Sequence, residues 1–264
     1  MIDKEHLKRD LSKLREHSPL VHNITNYVAM NFTANTLLAL GASPVMAHAV
    51  EEMDEMTRLA GALMLNIGTL DAPWVEGMLR AGKAMRARGG VIVLDPVGAG
   101  ATRYRTQTAW QIIESCHPTI IRGNASEIMA LINADVQSKG VDSTAQSSDA
   151  VASAKELAKR TGSVVVVSGA TDYITDGTRL EQLCNGSPMQ TLVTAMGCTA
   201  SSVVAAFAAI NPDAFEASLH AMALMGVVGE EAAKRVKGPG SLLTEFVDLM
   251  YTITPEQLAE AVRQ

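Results

Sequence analysis

Three short segments of this chain hold residue types that can do chemistry, each placed where an apolar run gives way to glycines or to a helix start. The first is Asp95-Pro96-Val97-Gly98-Ala99-Gly100-Ala101, entered from the apolar residues 91–94. A carboxylate followed by glycines at the end of a parallel strand stands where open α/β sheets place their ligands, so Asp95 can point into a cleft. The bland reading is that Asp95 satisfies turn amides and the glycines supply tight geometry. No Gly-Lys-Ser/Thr follows, so this is not a Walker loop.

The second segment is Arg122-Gly123-Asn124-Ala125-Ser126-Glu127. Asn124 with an acid three residues on spells a capping box, which alone would account for both residues. Arg122 beside them adds a guanidinium, whose planar fork suits phosphate oxygens. The third is Val193-Thr194-Ala195-Met196-Gly197-Cys198-Thr199-Ala200, followed by the Ala- and Val-rich residues 201–210. A helix apolar nearly all round is buried, and the free amides at its start form an anion site that Gly197 lets a ligand approach closely. Cys198 is either a thiol at that site or one more small buried hydrophobe.

These segments need elements to hold them. Short apolar runs at residues 44–47, 62–67, 90–94, 119–121 and 163–167 alternate with helix-period stretches, the pattern of βαβ units and a mostly parallel sheet. A further short extended piece is expected at residues 20–25, leading into a helix from about Asn26 to Leu40 that Gly41 stops. The run Val164-Val165-Val166-Val167 is too short for a helix and too apolar for an edge, which makes it an inner strand covered on both faces. Tyr173-Ile174-Thr175, a turn at Asp176-Gly177-Thr178, and Arg179-Leu180 predict a hairpin and hence an antiparallel edge. From Gly197 onward the chain reads as nearly all helix, and residues 135–148 are polar enough for an exposed loop. No repeat or linker divides residues 1–264, so a single α/β domain is expected.

Bulk properties narrow the function. With 264 residues, 47% of them hydrophobic, the chain can bury one large core. A formal net charge of -6 excludes a surface built for nucleic acid or an anionic membrane and leaves small-molecule work. Cys116, Cys184 and Cys198 show neither a CxxC pair nor metal-ligand spacing, and read as reduced thiols of a cytoplasmic protein. The opening residues lack a signal-peptide profile. Residues 21–50 and 182–212 contain no Asp, Glu, Lys or Arg, yet polar residues and prolines break both short of the roughly 18 apolar residues of a membrane span.

The Asp95 loop, the Asn124-x-x-Glu127 step and the glycine-then-helix element at Gly197-Cys198 together resemble the ribokinase-like superfamily, and within it the hydroxyethylthiazole kinase family. Val21-His22-Asn23-Ile24-Thr25-Asn26, Gly41-Ala42-Ser43-Pro44-Val45-Met46, Asn66-Ile67-Gly68-Thr69-Leu70 and Gly238-Pro239-Gly240-Ser241 agree, spreading the likeness over almost the whole chain. The resemblance implies a three-layer α/β/α fold and ATP-dependent phosphorylation of the hydroxyl of 4-methyl-5-(2-hydroxyethyl)thiazole with Mg²⁺. It further implies a homotrimer whose active sites lie between subunits.

Carried over by position, it implies ATP contacts from Arg122, Ser168 and Asn124, and Mg²⁺ organised by Asp95 and Glu127. Met46, Ala195, Asn26 and Gly68 then meet the thiazole, with Cys198, Asp95 and Gly197 at the catalytic step. The wider superfamily commonly has an aspartate where this chain has Cys198; thiazole kinases resemble this chain in having cysteine. Ala195-Met196-Gly197 stands where many thiazole kinases have Gly-Thr-Gly. Kinases of other vitamin alcohols, a ribokinase-like dehydratase acting on hydrated nicotinamide cofactors, and a non-catalytic nucleotide-binding regulator are the competing readings.

Overall fold

The computed structural model describes residues 1–133 and 147–264. The loop expected at 135–148 therefore falls mostly outside the described residues, and Ser147–Ala150 form a short 3-10 turn. Eight strands make one sheet: β1 (Leu20–Ile24), β2 (Ser43–Val45), β3 (Ala62–Asn66), β4 (Val91–Asp95), β5 (Ile120–Asn124), β6 (Val164–Ser168), β7 (Asp172–Thr175) and β8 (Leu180–Leu183). Their spatial order is β2-β1-β3-β4-β5-β6-β7-β8. β1 to β6 are parallel, and the hairpin of β7 and β8 adds the antiparallel edge.

The helices are α1 (Lys4–His17), α2 (Met30–Leu40), α3 (Met53–Leu59), α4 (Ala72–Ala87), α5 (Arg103–Cys116), α6 (Ala125–Ile132), α7 (Val151–Thr161), α8 (Met196–Ala208), α9 (Ala214–Arg235), α10 (Pro239–Thr252) and α11 (Pro255–Ala261). They cover both faces, and strand side chains alternate between the two cores accordingly. Met64, Val93, Val164 and Val166 point into the core shared with α1, α2 and α8 to α11. Leu63, Leu65, Leu94, Val165 and Val167 point into the one shared with α4 to α7. The four valines of β6 are buried, as an inner strand demands.

Local chemistry explains the boundaries. α2 starts at Met30 rather than Asn26, because Asn26 is spent outside the helix, its Oδ1 accepting from the Ala29 amide at 3.0 Å. β5 runs past the expected end at Ile121 through Arg122 and Gly123 to Asn124, which pairs with Ser168 of β6. Asn124 is at once the last strand residue and the cap of α6, its side chain accepting from the Glu127 amide while Glu127 reaches back to the Asn124 amide. β2 is shorter than expected and leaves Met46 and Ala47 beyond it.

Because the chain passes from β1 out to β2 and then back to β3 on the other side, the strand order reverses at β1. Parallel sheets open a crevice outside the carboxyl ends of the strands at such a switch point. Asn26 follows β1 and Asn66 ends β3, so both stand at that crevice, with Asp95 ending β4 next to them.

Candidate active site

Asp95 is the centre of a buried polar chain. Only 1% exposed, it accepts at Oδ2 from Asn66 Nδ2 (2.8 Å) and from Ser201 Oγ (2.8 Å). Burial pushes its carboxyl above the usual range, and the Arg122 guanidinium, Ser201 and Asn66 pull it partly back. Asn66 Oδ1 in turn accepts from Asn26 Nδ2 (2.8 Å) and the Gly68 amide (2.9 Å). Asn26 Nδ2 also donates to Cys198 Sγ at 3.2 Å. A Cβ on Gly68 would lie 2.7 Å from Asn26 Nδ2, so glycine is what lets the two loops meet.

Cys198 stands in the first turn of α8, and Ser201 follows it by three residues, the spacing that puts both on one helix face. Burial, then the charge of Asp95, pushes the Cys198 thiol up to about 11, so it keeps its proton at neutral pH. The helix start itself has no side-chain cap, unlike α4, α5, α9 and α11, whose first amides are held by Asp71, Thr102, Asp213 and Thr254. No side chain thus accepts from its leading amides, the groups that carry the positive end of a helix dipole. Ala195, the residue before the helix, has φ 69°, a left-handed conformation that costs a side-chain-bearing residue energy. That is the conformation a glycine adopts freely, which agrees with the glycine that many thiazole kinases carry at this place.

Arg122 is 8% exposed and ties the second and third segments together. Its Nη1 donates to the Gly197 carbonyl (2.9 Å) and its Nη2 to Ser168 Oγ (2.7 Å), while Nε is buried without a partner. A Cβ on Gly197 would sit 2.9 Å from Nη1, so here the glycine makes room for the guanidinium. The sequence had suggested that Gly197 makes room for a ligand; in the structure Arg122 occupies that space and presents its charge there.

Glu127 is more than a cap. Its Oε1 accepts from the Gly98 amide (2.8 Å) in the Asp95 loop, and its Oε2 accepts from Asn124 (2.8 Å). Burial and then the nearby charge of Asp95 push it up to about 7. Asp172, at the start of β7 beside Ser168, is a third buried acid, pushed up to about 6 by burial against the pull of the Gly169 amide and Arg122. Arg105 of α5 clamps the loops themselves, donating to the carbonyls of Ile67 (2.7 Å), Val97 (2.9 Å) and Gly68 (2.8 Å).

The structure thus gathers Asn26, Gly68, Asp95, Arg122, Asn124, Glu127, Ser168, Ala195, Gly197 and Cys198 along the carboxyl ends of β1 and β3 to β6. Met46 stands apart, half-buried beyond the end of the edge strand β2, two strands from Asn66. Sequence reasoning assigned no role to Asn66, Ser201, Arg105 or Asp172. The usable signal was position: a polar residue ending a strand for Asn66 and beginning one for Asp172, and the helix spacing from Cys198 for Ser201. Arg105 sits mid-turn in a helix and gave none. Among the described residues no group of three or more His, Cys, Asp or Glu side chains forms a metal cage.

Comparison with known proteins bears on what this arrangement is for. Residues 11–256 match the family model described as the hydroxyethylthiazole kinase family. The chain belongs to that family. It is 52% identical over 251 residues to the hydroxyethylthiazole kinase of Syntrophus aciditrophicus, covering 95% of this chain and 93% of that one. The solved structure of hydroxyethylthiazole kinase from Pyrococcus horikoshii OT3 superposes with a TM-score of 0.91 at 39% identity, covering 98% of each chain. A ribokinase-like superfamily protein of Enterococcus faecalis V583, at 16% identity and TM-score 0.65 over 96% of each chain, shares the fold alone. The fold of this hydroxyethylthiazole kinase family member is accordingly the ribokinase-like α/β one.

Two expectations follow from the geometry. Replacing Ala195 with glycine should relieve the left-handed strain and raise stability by about 0.5–1 kcal/mol, read as a shift of the urea midpoint at unchanged slope. The folded pKa of Glu127 lies above its unfolded value of 4.5, so its contribution to stability is full below pH 4.5 and is lost as pH rises through about 7. Melting curves should show that drift, worth roughly 3 kcal/mol. Glu127→Gln should flatten it while lowering the whole curve, because one accepted amide bond is lost.

Proposed function

We propose that this protein transfers the γ-phosphoryl group of ATP to the hydroxyl of 4-methyl-5-(2-hydroxyethyl)thiazole. The observation that carries the reading is the convergence of Asp95, Arg122 and the uncapped start of α8 on one crevice, in a chain about half identical to a hydroxyethylthiazole kinase over nearly its whole length. In this reading residues 1–264 form one kinase domain of a cytoplasmic enzyme in thiamine biosynthesis or salvage. The free thiols and the lack, among the described residues, of any helix long and apolar enough to cross a membrane accord with it.

A phosphoryl group in flight spreads negative charge over its equatorial oxygens, and catalysis is mainly positioning and neutralisation of that charge. The Gly197 and Cys198 amides and the Arg122 guanidinium supply donors there, with Ser168 and Asn124 alongside for the nucleotide. Asp95 and Glu127 suit Mg²⁺, which takes one or two carboxylates and keeps several waters. Asp95 has Oδ1 left over from its bonds to Asn66 and Ser201, whereas both oxygens of Glu127 already accept amides, which fits contact through water. Mg²⁺ bound with ATP would supply charge neutralisation at the phosphate oxygens.

The alcohol must lose a proton. Since the Cys198 thiol holds its own at neutral pH, it acts as a relay: the alcohol proton moves to Sγ as the thiol proton moves to the Asp95 carboxylate. The net change is one proton gained by Asp95, one P–O bond formed to the alcohol and one broken to ADP. Asn26, Gly68 and Ala195 flank that point and border the thiazole. Met46 follows β2, which pairs with β1, the strand that leads into Asn26. A homotrimer with sites between subunits would make use of it, and the exposed Tyr27, Val28 and Leu38 at and near α2 offer apolar surface for such contacts.

ADP release by the purified protein with Mg²⁺-ATP should depend on hydroxyethylthiazole and not on hydroxymethylpyrimidine or pyridoxal. Turnover with another alcohol alone would overturn the substrate. In that assay Cys198→Asp should keep or raise kcat, Cys198→Ala should lower it by roughly 100-fold, and Arg122→Ala should both slow turnover and weaken ATP binding. Sedimentation at micromolar concentration should show a trimer, and a monomer would remove the shared-site arrangement.

A further inference from the structure

The two asparagines of the crevice are each locked in one orientation by a backbone group that can only donate. The Gly68 amide fixes Asn66 with its carbonyl oxygen toward Gly68 and its NH₂ toward Asp95. The Ala29 amide fixes Asn26 with its oxygen toward the α2 entry and its NH₂ inward. An amide flip at either residue would face a backbone N–H with another N–H, so the hydrogen-bond polarity is set by the chain. The two hydrogens of the Asn26 NH₂ then have one acceptor each, Asn66 Oδ1 and Cys198 Sγ.

From this one-way chain we infer that Asn66 is a positioning residue for the transfer step, holding the Asn26 amide so that it donates to the Cys198 sulfur. A sulfur that already accepts an N–H directs its own hydrogen elsewhere and carries negative charge more readily while the proton is in transit. Asn66 touches neither nucleotide nor alcohol in this scheme; it acts on the sulfur through Asn26, and its own side chain also reaches Cys198. It is 1% exposed, and among the described residues Asn66 Oδ1 is the acceptor that holds the Asn26 NH₂ on the side away from the sulfur. Ser201 completes the anchor, because its hydroxyl on Asp95 Oδ2 keeps that oxygen an acceptor for Asn66.

This inference rests on the kinase reading above, and the test separates the two. In the thiazole-dependent assay Asn66→Leu should lower kcat by about 10- to 100-fold, the loss expected for one oriented buried hydrogen bond, with the KM for ATP within about 3-fold. In a Cys198→Ala background the same substitution should cost less than about 3-fold, because its effect runs through the sulfur. Equal costs in both backgrounds, or a loss confined to the ATP KM, would overturn the assignment. Asn66→Ser, too short to span Asp95 and Asn26, carries the same expectations should the leucine variant not fold. A second arm needs no turnover: with Cys184→Ser removing the exposed thiol, alkylation of Cys198 by iodoacetamide should slow about 3-fold or more on Asn66→Leu. If wild type fails to phosphorylate the thiazole, the kinase reading falls while this arm still decides the role of Asn66; unchanged or faster alkylation would refute it.

Discussion

A carboxylate that is 1% exposed is the constraint around which the crevice is built. Burying Asp95 costs several kcal/mol unless the charge is met by donors and an opposite charge. The sheet meets it from both sides: Asn66 from the neighbouring strand β3, Ser201 from the helix lying across the sheet, and Arg122 through its field from β5. Each of those partners is then fixed by a further bond, Asn66 by Gly68 and Asn26, Arg122 by Gly197 and Ser168. Satisfying one acid therefore orders the ends of four strands and the head of α8.

That helix head shows how packing and chemistry compete. α8 is buried along its length, with small residues that let it lie close on β1, β3 and β4. A buried helix start needs its amides satisfied, and a Ser or Asp cap is the usual means. Here Ala195 supplies no cap and sits in a left-handed conformation. Thr199 instead anchors the first turn sideways, through its hydroxyl contact with Thr33 of α2 at 2.9 Å. The amides stay free because the helix is held by its flank.

Much of this was legible in the residues. The β-branched run at 164–167 announced an inner strand, the Asp176-Gly177 turn announced the antiparallel edge, and Asn124 with Glu127 announced a cap that the structure contains in full. The three chemistry-bearing segments were visible because glycine and charge interrupt apolar runs. What stayed hidden depends on contacts between distant strands. Asn66 reads as an ordinary strand end until the β1-β3-β4 order sets it between Asn26 and Asp95. Glu127 reads as a cap until its second oxygen is seen to take the Gly98 amide. Arg105 is one of two arginines in the first turn of α5, and only the fold brings three loop carbonyls within its reach.

The charge balance of the crevice also bears on why a thiol stands at the head of α8. Asp95, Glu127 and Asp172 are all buried and all pushed toward protonation; Arg122 is the chief answer to Asp95, while backbone amides of Gly98 and Asn124 answer Glu127 and that of Gly169 answers Asp172, with Arg122 adding to each. An aspartate in place of Cys198 would add a fourth acid against Asp95, and mutual repulsion would raise both, strengthening the base while weakening the fold. The neutral thiol adds no charge and packs as a small group at the head of the helix. The crevice thereby keeps its buried acids to three, a number that the backbone amides and one arginine meet.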